Sequence, residues 1–262
     1  MKKLVYITLI TIVLGACKQN QKKETSEMEG TAMDSEMKSS KLTITPIEHA
    51  TAILQWGDYT IYIDPVGGAE MFKGQKKPDL ILITDIHGDH FSLETLDSLD
   101  TSMAKIIVPQ AVADKMSEKF KPQLEVLANG DSINESEIKI EAIPMYNLRE
   151  EALNFHTKGR GNGYVLTFGN ERVYFSGDTE DIPEMRDLKN IDKAFICMNL
   201  PYTMTEESAA SAVLEFKPKQ VYPYHYRGNP DVSDVAKFKK LIHDANPDIE
   251  VIQLDWYPKN DF

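Results

Sequence analysis

Asp85-Ile86-His87-Gly88-Asp89-His90 follows directly on Leu80-Ile81-Leu82-Ile83-Thr84 and sets two carboxylates and two imidazoles within six residues. Four consecutive aliphatic residues, bounded by Pro78-Asp79 on one side and a polar loop on the other, read as a buried strand. The ionisable cluster is therefore expected at the C-terminal end of a strand, where loops present reactive groups on a rigid scaffold. Aspartate and histidine side chains converging at one place are the donors that a hard or borderline divalent cation takes. A merely solvated turn would need no such density of ligands.

On the N-terminal side of this stretch, residues 42–47, 51–55 and 60–63 read as strands, with Gly57-Asp58 as the tight turn between the last two. On the C-terminal side, helices are expected over 93–99, 111–120, 206–216 and 235–245, with Thr205 as N-cap of the third. Strands are expected at 106–108, 124–127, 138–143, 194–198, 221–222 and 249–254, and a hairpin at 163–168 and 172–175 turns at Gly169-Asn170. A hairpin-rich first half and a second half alternating strand with helix fit two β-layers covered by helices better than a doubly wound parallel sheet. The chain has no glycine-rich phosphate loop and no Gly-x-Ser-x-Gly elbow.

The N-terminus reads differently. Lys2 and Lys3, the largely apolar stretch 4–14 and Leu14-Gly15-Ala16-Cys17 form a secretory signal, too short for an ordinary membrane span. The cysteine after small residues resembles the lipobox of bacterial lipoproteins. Residues 1–16 are accordingly expected to be a lipoprotein signal peptide and Cys17 the lipidated residue. Residues 17–40, rich in Lys, Glu, Ser and Met and without an aromatic, read as a disordered tether, and 41–262 as one domain. The expected location is the bacterial cell envelope, on the periplasmic side or the surface. With 41 acidic against 29 basic residues the net charge is −12, and loss of Lys2 and Lys3 makes it more negative. Such a chain offers no basic footprint for nucleic acid, and its only expected hold on a membrane is the lipid anchor. Cys197, inside the apolar run Ala194-Phe195-Ile196-Cys197-Met198, is expected to be a small buried hydrophobe.

Further candidates each end a predicted strand. Asp178 lies in Ser176-Gly177-Asp178-Thr179, His225 in Tyr222-Pro223-Tyr224-His225-Tyr226, Asp64 just before Pro65, and His49 between the first two strands. In this order the pieces resemble the metallo-β-lactamase superfamily, whose hallmark is His-x-His-x-Asp-His, a third histidine, an aspartate in a Gly-Asp-Thr type turn and a final histidine. The resemblance spans residues 42 to 255. His49-Ala50 with Asp64-Pro65, and Tyr202-Thr203-Met204 ahead of His225-Tyr226, are similar to the branch holding L-ascorbate-6-phosphate lactonases and N-acyl-phosphatidylethanolamine phospholipases. The resemblance implies an α+β fold, a four-layered αββα sandwich, with metal ligands on loops at one edge.

Two departures stand out. Asp85 occupies the place of the first histidine, and the third has two candidates: Asn147 in Pro144-Met145-Tyr146-Asn147, and His156 in Phe155-His156-Thr157-Lys158-Gly159, which the spacing favours. The resemblance then implies one ligand set of Asp89, His90, Asp178 and His225, and a second of Asp85, His87, Asp178 and His156. One or two divalent ions are implied, zinc foremost, with manganese or iron favoured by the extra carboxylate of Asp85. That carboxylate also makes a bound water less acidic. By the same resemblance Asp89 orients the attacking water or takes its proton.

Arg160 and Arg227 follow candidate ligands closely enough to reach a substrate phosphate or carboxylate. His49 is a candidate for substrate contact, Asp64 and Asn147 for support of the ligands, and Tyr202, Tyr222, Tyr224 and Tyr226 for the pocket mouth. His243, on a helix, has no expected role. The expected function is a lipid-anchored, extracytoplasmic metal-dependent hydrolase acting on an ester, lactone or phosphodiester bond of a small molecule. The alternative is a lipoprotein that binds metal or ligand without turnover.

Overall fold

Period-two burial of apolar side chains builds the first sheet and decides which face each residue serves. The structure, a computed structural model, describes residues 41–258; the expected signal peptide, Cys17 and tether lie outside the described residues. Strands β1 (Leu42–Glu48), β2 (Thr51–Trp56) and β3 (Tyr59–Ile63) form an antiparallel meander. β4 (Leu80–Leu82), β5 (Lys105–Val108) and β6 (Leu124–Val126) then add in parallel, in spatial order 1-2-3-4-5-6. Parallel neighbours need crossovers, here α1 (Leu93–Ser98) and α2 (Gln110–Ala113). Ser92 caps α1 by accepting from the Thr95 amide at 3.1 Å.

The second sheet repeats this plan. β7 (Ser132–Glu135), β8 (Ile138–Met145), β9 (Gly161–Phe168) and β10 (Glu171–Phe175) are antiparallel, and β11 (Lys193–Ile196), β12 (Gln220–Pro223) and β13 (Glu250–Val251) continue in parallel. Helices α3 (Pro183–Arg186), α4 (Glu206–Phe216) and α5 (Val235–Ala245) lie between its later strands. Thr205 caps α4 as expected, accepting from the Ser208 amide.

The expected contrast between a hairpin-rich first half and an alternating second half is corrected: each half holds a meander followed by parallel strands. The helix expected over 111–120 is also shorter. Ser117 takes an extended conformation (φ −69°, ψ 151°) and opens a separate 3-10 turn at Glu118–Gln123.

Leu54, Ile61, Ile63, Leu82 and Ile107 of the first sheet share one buried cluster with Ile140, Leu166 and Phe175 of the second. The alternate residues Ile53, Tyr62, Ile81, Ile106 and Val108 face away and pack on Leu96, Val112 and Phe120 of the covering segments. Ala209, Val213, Phe216, Phe238 and Ile242 bring α4 and α5 into the first cluster. The architecture is thus the expected αββα sandwich. Among the described residues no helix is long and apolar enough to cross a membrane.

Strand register brings the loops to one edge. Ile63 pairs with Leu82, Phe175 with Phe195 and Ile196 with Pro223, so the segments carrying Asp64, Asp85, Asp178 and His225 leave their sheets at matched levels. Two hydrogen bonds tie the sheets together beneath them: Asn162 N to Thr84 O at 3.0 Å and Tyr164 OH to Ile83 O at 3.0 Å.

Candidate metal centre

Asp64 organises the first part of the centre. Its carboxylate is buried and accepts from the Thr84 amide (2.7 Å), the Thr84 hydroxyl (2.6 Å) and His90 Nδ1 (2.8 Å). A proton held on Nδ1 leaves Nε2 of His90 as a lone-pair donor, which is how an outer carboxylate fixes a ligating imidazole. Burial pushes the Asp64 carboxyl up, against the opposing charge of His90.

The backbone is bent to place these groups. His49 (φ 56°), Asp64 (φ 45°) and His225 (φ 49°) are all left-handed without being glycine, a conformation costing about 1–3 kcal/mol each. Gly177 (φ 60°) precedes Asp178, and a Cβ there would lie 2.5 Å from Met145 Sδ. Only glycine makes that turn without displacing a neighbour.

Around Asp178 three imidazoles converge. His156 Nε2 lies 3.1 Å and His90 Nε2 3.3 Å from Asp178 Oδ2, and His225 Nε2 lies 3.4 Å from Oδ1. His90 Nε2, His156 Nε2, His225 Nε2 and Asp178 Oδ1 are buried and have no hydrogen-bond partner among the described residues. Buried polar atoms are ordinarily paired, so the partnerless donors of His90, Asp178 and His225 fit a bound cation, while His156 Nε2 stands between Asp178 Oδ2 (3.1 Å) and Asp85 Oδ2 (4.0 Å). His90, Asp178 and His225 each offer a donor atom within 4.8 Å of the others.

The electrostatics agree with the geometry. Burial opposes charge on His90, yet Asp178, Asp64 and Asp89 together hold its pKa well above the usual value. Burial likewise opposes ionisation of Asp178, but His225, His90 and His156 hold it well below the usual carboxylate range. The field at this point favours a positive charge.

Asp89 sits beside this cluster, with its side chain 42% exposed. Its Oδ2 lies 3.3 Å from His225 Nε2 and 3.4 Å from His49 Nε2. Against partial burial, the charge of His90 and the close approach of His225 and His49 hold its pKa well below the usual carboxylate range. His49 stacks on His225 at 3.7 Å between ring centroids, and its Nδ1 lies 2.6 Å from Tyr257 OH. Burial and the neighbouring His225 push His49 down to about 4, so it is neutral near pH 7.

A family profile for the β-lactamase superfamily domain matches residues 43–225. The chain belongs to the metallo-β-lactamase superfamily. It is 30% identical to a UPF0173 metal-dependent hydrolase of Pyrococcus abyssi over 209 residues, 75% of this chain and 90% of the relative. An Archaeoglobus fulgidus UPF0173 metal-dependent hydrolase is 27% identical, with 81% and 96% of the two chains covered. A crystal structure from Parabacteroides distasonis, described as a metal-dependent hydrolase, superposes with a TM-score of 0.74 and 38% identity over 83% of this chain and 94% of that one. The metallo-β-lactamase fold protein YhfI of Bacillus subtilis, at 13% identity and a TM-score of 0.64 over 82% of this chain and 97% of that one, shares the fold. The protein is a metal-dependent hydrolase.

The remaining expected residues of this hydrolase fall into distinct places. His156, not Asn147, puts its ring into the cluster: its Nδ1 faces Tyr202 O at 3.2 Å, which turns Nε2 inward. Asn147 lies under it, donating to Ala152 O (2.9 Å) and Tyr202 O (2.6 Å) while its own amide bonds His156 O. Asp85, His87 and His156 form another group of donors within 4.8 Å. Asp85, however, already accepts two bonds from Arg160, Nε to Oδ1 at 3.0 Å and Nη2 to Oδ2 at 2.8 Å. Burial opposes its ionisation, and His87, His90 and Arg160 more than offset it. Arg160 thus spends its fork on Asp85, and Arg227 lays its guanidinium over the Tyr257 ring at 5.1 Å.

A cleft of about 200 Å³ opens beside the centre, lined by His87, Asp89, His156 and Asp178 and walled by Phe155, Asn199 and Tyr202. Of the four tyrosines expected at its mouth only Tyr202 lines it. Tyr224 is buried and accepts from the Gly177 amide, and Tyr222 and Tyr226 pack on Phe195 and Tyr257. Phe155 and Asn199 were not expected. Asn199 ends the apolar run 194–198 as Asp64 and Asp178 end theirs, and that position is the signal that marks it. Cys197 is buried as expected, and burial with the nearby Asp178 charge pushes its thiol up to about 12.

Proposed function

We propose that this hydrolase cleaves an ester, lactone or phosphodiester bond of a small molecule, with His90, Asp178 and His225 holding a zinc ion. The observation that carries the reading is the coincidence of buried, partnerless donor atoms on His90, Asp178 and His225 with a half-exposed Asp89 at one wall of the same cleft. Two imidazoles and one carboxylate, with a position left for water, are a donor set suited to catalytic zinc. When bound, the ion would acidify a water and polarise the scissile carbonyl or phosphoryl group.

The chain's own residues do the rest. Asp89, kept ionised, accepts the proton of the attacking water and orients it toward the cleft. His49, neutral and hydrogen-bonded at Nδ1 to Tyr257, holds Asp89 in place through Nε2. Phe155 and Tyr202, edge to face at 5.1 Å, limit the cleft to a small reacting group and keep bulk water out. The N-terminal features support a lipid-anchored enzyme working in the cell envelope.

The test is hydrolysis of p-nitrophenyl esters, bis-p-nitrophenyl phosphate and simple lactones by the full chain, before and after chelation and zinc return. Activity on one class, lost on chelation and restored by zinc, is the expected result. A protein that holds metal but turns over none of the three classes overturns the substrate assignment. Labelled palmitate entering the native protein at Cys17 is expected for the anchor, and a Cys17→Ser chain that still partitions with membranes overturns it.

A further inference from the structure

The two parts of the centre differ in how their polar atoms are satisfied. Among the described residues of the centre, His90 Nε2, both ring nitrogens of His225 and Asp178 Oδ1 are partnerless around Asp178, and His156 Nε2, also partnerless, lies 3.1 Å from Asp178 Oδ2 and 4.0 Å from Asp85 Oδ2. Neither Asp85 nor His87 contributes one. Asp85 Oδ1 accepts from Arg160 Nε (3.0 Å), and Oδ2 accepts from Arg160 Nη2 (2.8 Å) and His87 Nδ1 (2.9 Å). His87 Nε2 lies 3.4 Å from the same Arg160 Nη2. Nη2 is held from a further side by Phe155 O. The Asp85 part is therefore a closed network whose positive charge is already present as a guanidinium.

The loop is shaped to deliver that guanidinium. Gly159 takes φ 86°, and a Cβ on Gly161 would lie 2.8 Å from Thr84 O, the residue before Asp85. Glycines on both sides thus let the backbone of Arg160 run against the start of the hexad. The Asp85 side chain is fully buried and that of Arg160 is 17% exposed, so the pair is largely withdrawn from water.

We infer that Arg160 is the fixed cation of the Asp85 part of the centre and restricts this hydrolase to a single divalent ion, held at Asp178. A second ion there would have to displace a bidentate Arg–carboxylate pair and a bonded imidazole. The inference rests on the proposal that the Asp178 cluster holds a divalent ion. Asp85 is then a ligand to arginine instead of metal, which gives the substitution at the first position of the hexad a physical purpose.

The full chain, stripped with a chelator and reloaded with Zn²⁺ or Co²⁺, is dialysed and its metal counted by mass spectrometry. The cobalt form is then examined by electron paramagnetic resonance. One ion per chain with the signal of an isolated Co²⁺ is expected. Arg160→Gln, which removes the charge, is expected to hold two ions per chain after the same dialysis. Two ions in the wild type, with magnetically coupled cobalt, overturn the inference and leave the proposed function standing. No tightly held ion in the wild type overturns the proposed function itself. A folded Arg160→Gln that stays at one ion also overturns the inference, and should that variant not fold, the wild-type count decides alone.

Discussion

The Asp178 and Asp85 parts of the centre are built from the same residue types and lie on the same edge, yet one leaves its donors open and the other closes them. Around Asp178, three imidazole nitrogens and a carboxylate oxygen are buried without a partner. Around Asp85, one arginine satisfies both carboxylate oxygens and reaches the adjacent imidazole. Residue type alone does not separate these cases. What separates them is whether each buried polar atom has a protein partner, because a buried atom without one is costly unless something else supplies the bond.

The largest effect is expected from Asp178→Ala. It removes the one carboxylate that lies within 3.4 Å of three imidazoles. Tight metal binding is expected to vanish and kcat/KM to fall on the order of 10³-fold, the equivalent of several kcal/mol of charge stabilisation. Wild-type metal content in this variant would break the comparison by moving the binding site elsewhere. Asp64→Asn comes next. Its amide can donate where His90 Nδ1 now donates, so His90 loses the bond that fixes its tautomer. A loss of roughly 10- to 100-fold in metal affinity is expected by titration with a competing chelator. An unchanged affinity would show that Thr84, at 3.0 Å from Nδ1, holds the ring alone.

The open part of the centre was the more legible in sequence. His90, Asp178 and His225 each follow an apolar run that can only be a buried strand, so their position at a strand end follows from local pattern. Between Asn147 and His156 the spacing favours His156, and the folded loop agrees by turning that ring inward and setting Asn147 beneath it. The partner of Asp85 was further out of reach, since Arg160 stands 75 residues away in sequence, and Tyr257 stands 208 residues from His49. Pairings of that separation depend on how two sheets stack. The fold followed the same rule: strand positions came from periodicity, whereas β7, with its polar alternation Ser132-Ile133-Asn134-Glu135, gave too little signal to find. The second meander is therefore expected without its first strand, which hides the likeness of the two halves.

Tyr257→Phe probes a smaller contribution to the open part. It deletes the hydroxyl at 2.6 Å from His49 Nδ1, which also accepts from the Arg227 amide at 3.1 Å. Losing a net hydrogen bond of about 1 kcal/mol predicts roughly a fivefold lower kcat, with metal content unchanged. A fall in metal content would instead place His49 among the groups that hold the ion.

The smallest effect is expected from Arg227→Ala, and it sharpens the comparison because Arg160 and Arg227 look alike in sequence. Both follow a histidine of the centre closely, in His156-Thr157-Lys158-Gly159-Arg160 and in His225-Tyr226-Arg227. Their surroundings differ. Arg160 is forked onto Asp85, whereas Arg227 rests its guanidinium on the Tyr257 ring and donates to Tyr257 OH through its backbone amide, a bond that alanine keeps. The stacking contact contributes about 0.5–1 kcal/mol to stability, which thermal unfolding of the metal-loaded protein can read. Because the guanidinium is not among the groups lining the cleft, KM for any hydrolysed substrate is expected to change by less than about twofold, within the range of surface substitutions. A tenfold rise in KM for an anionic substrate, absent for a neutral one, would show that Arg227 swings from Tyr257 to the substrate and that the second arginine, too, serves the centre.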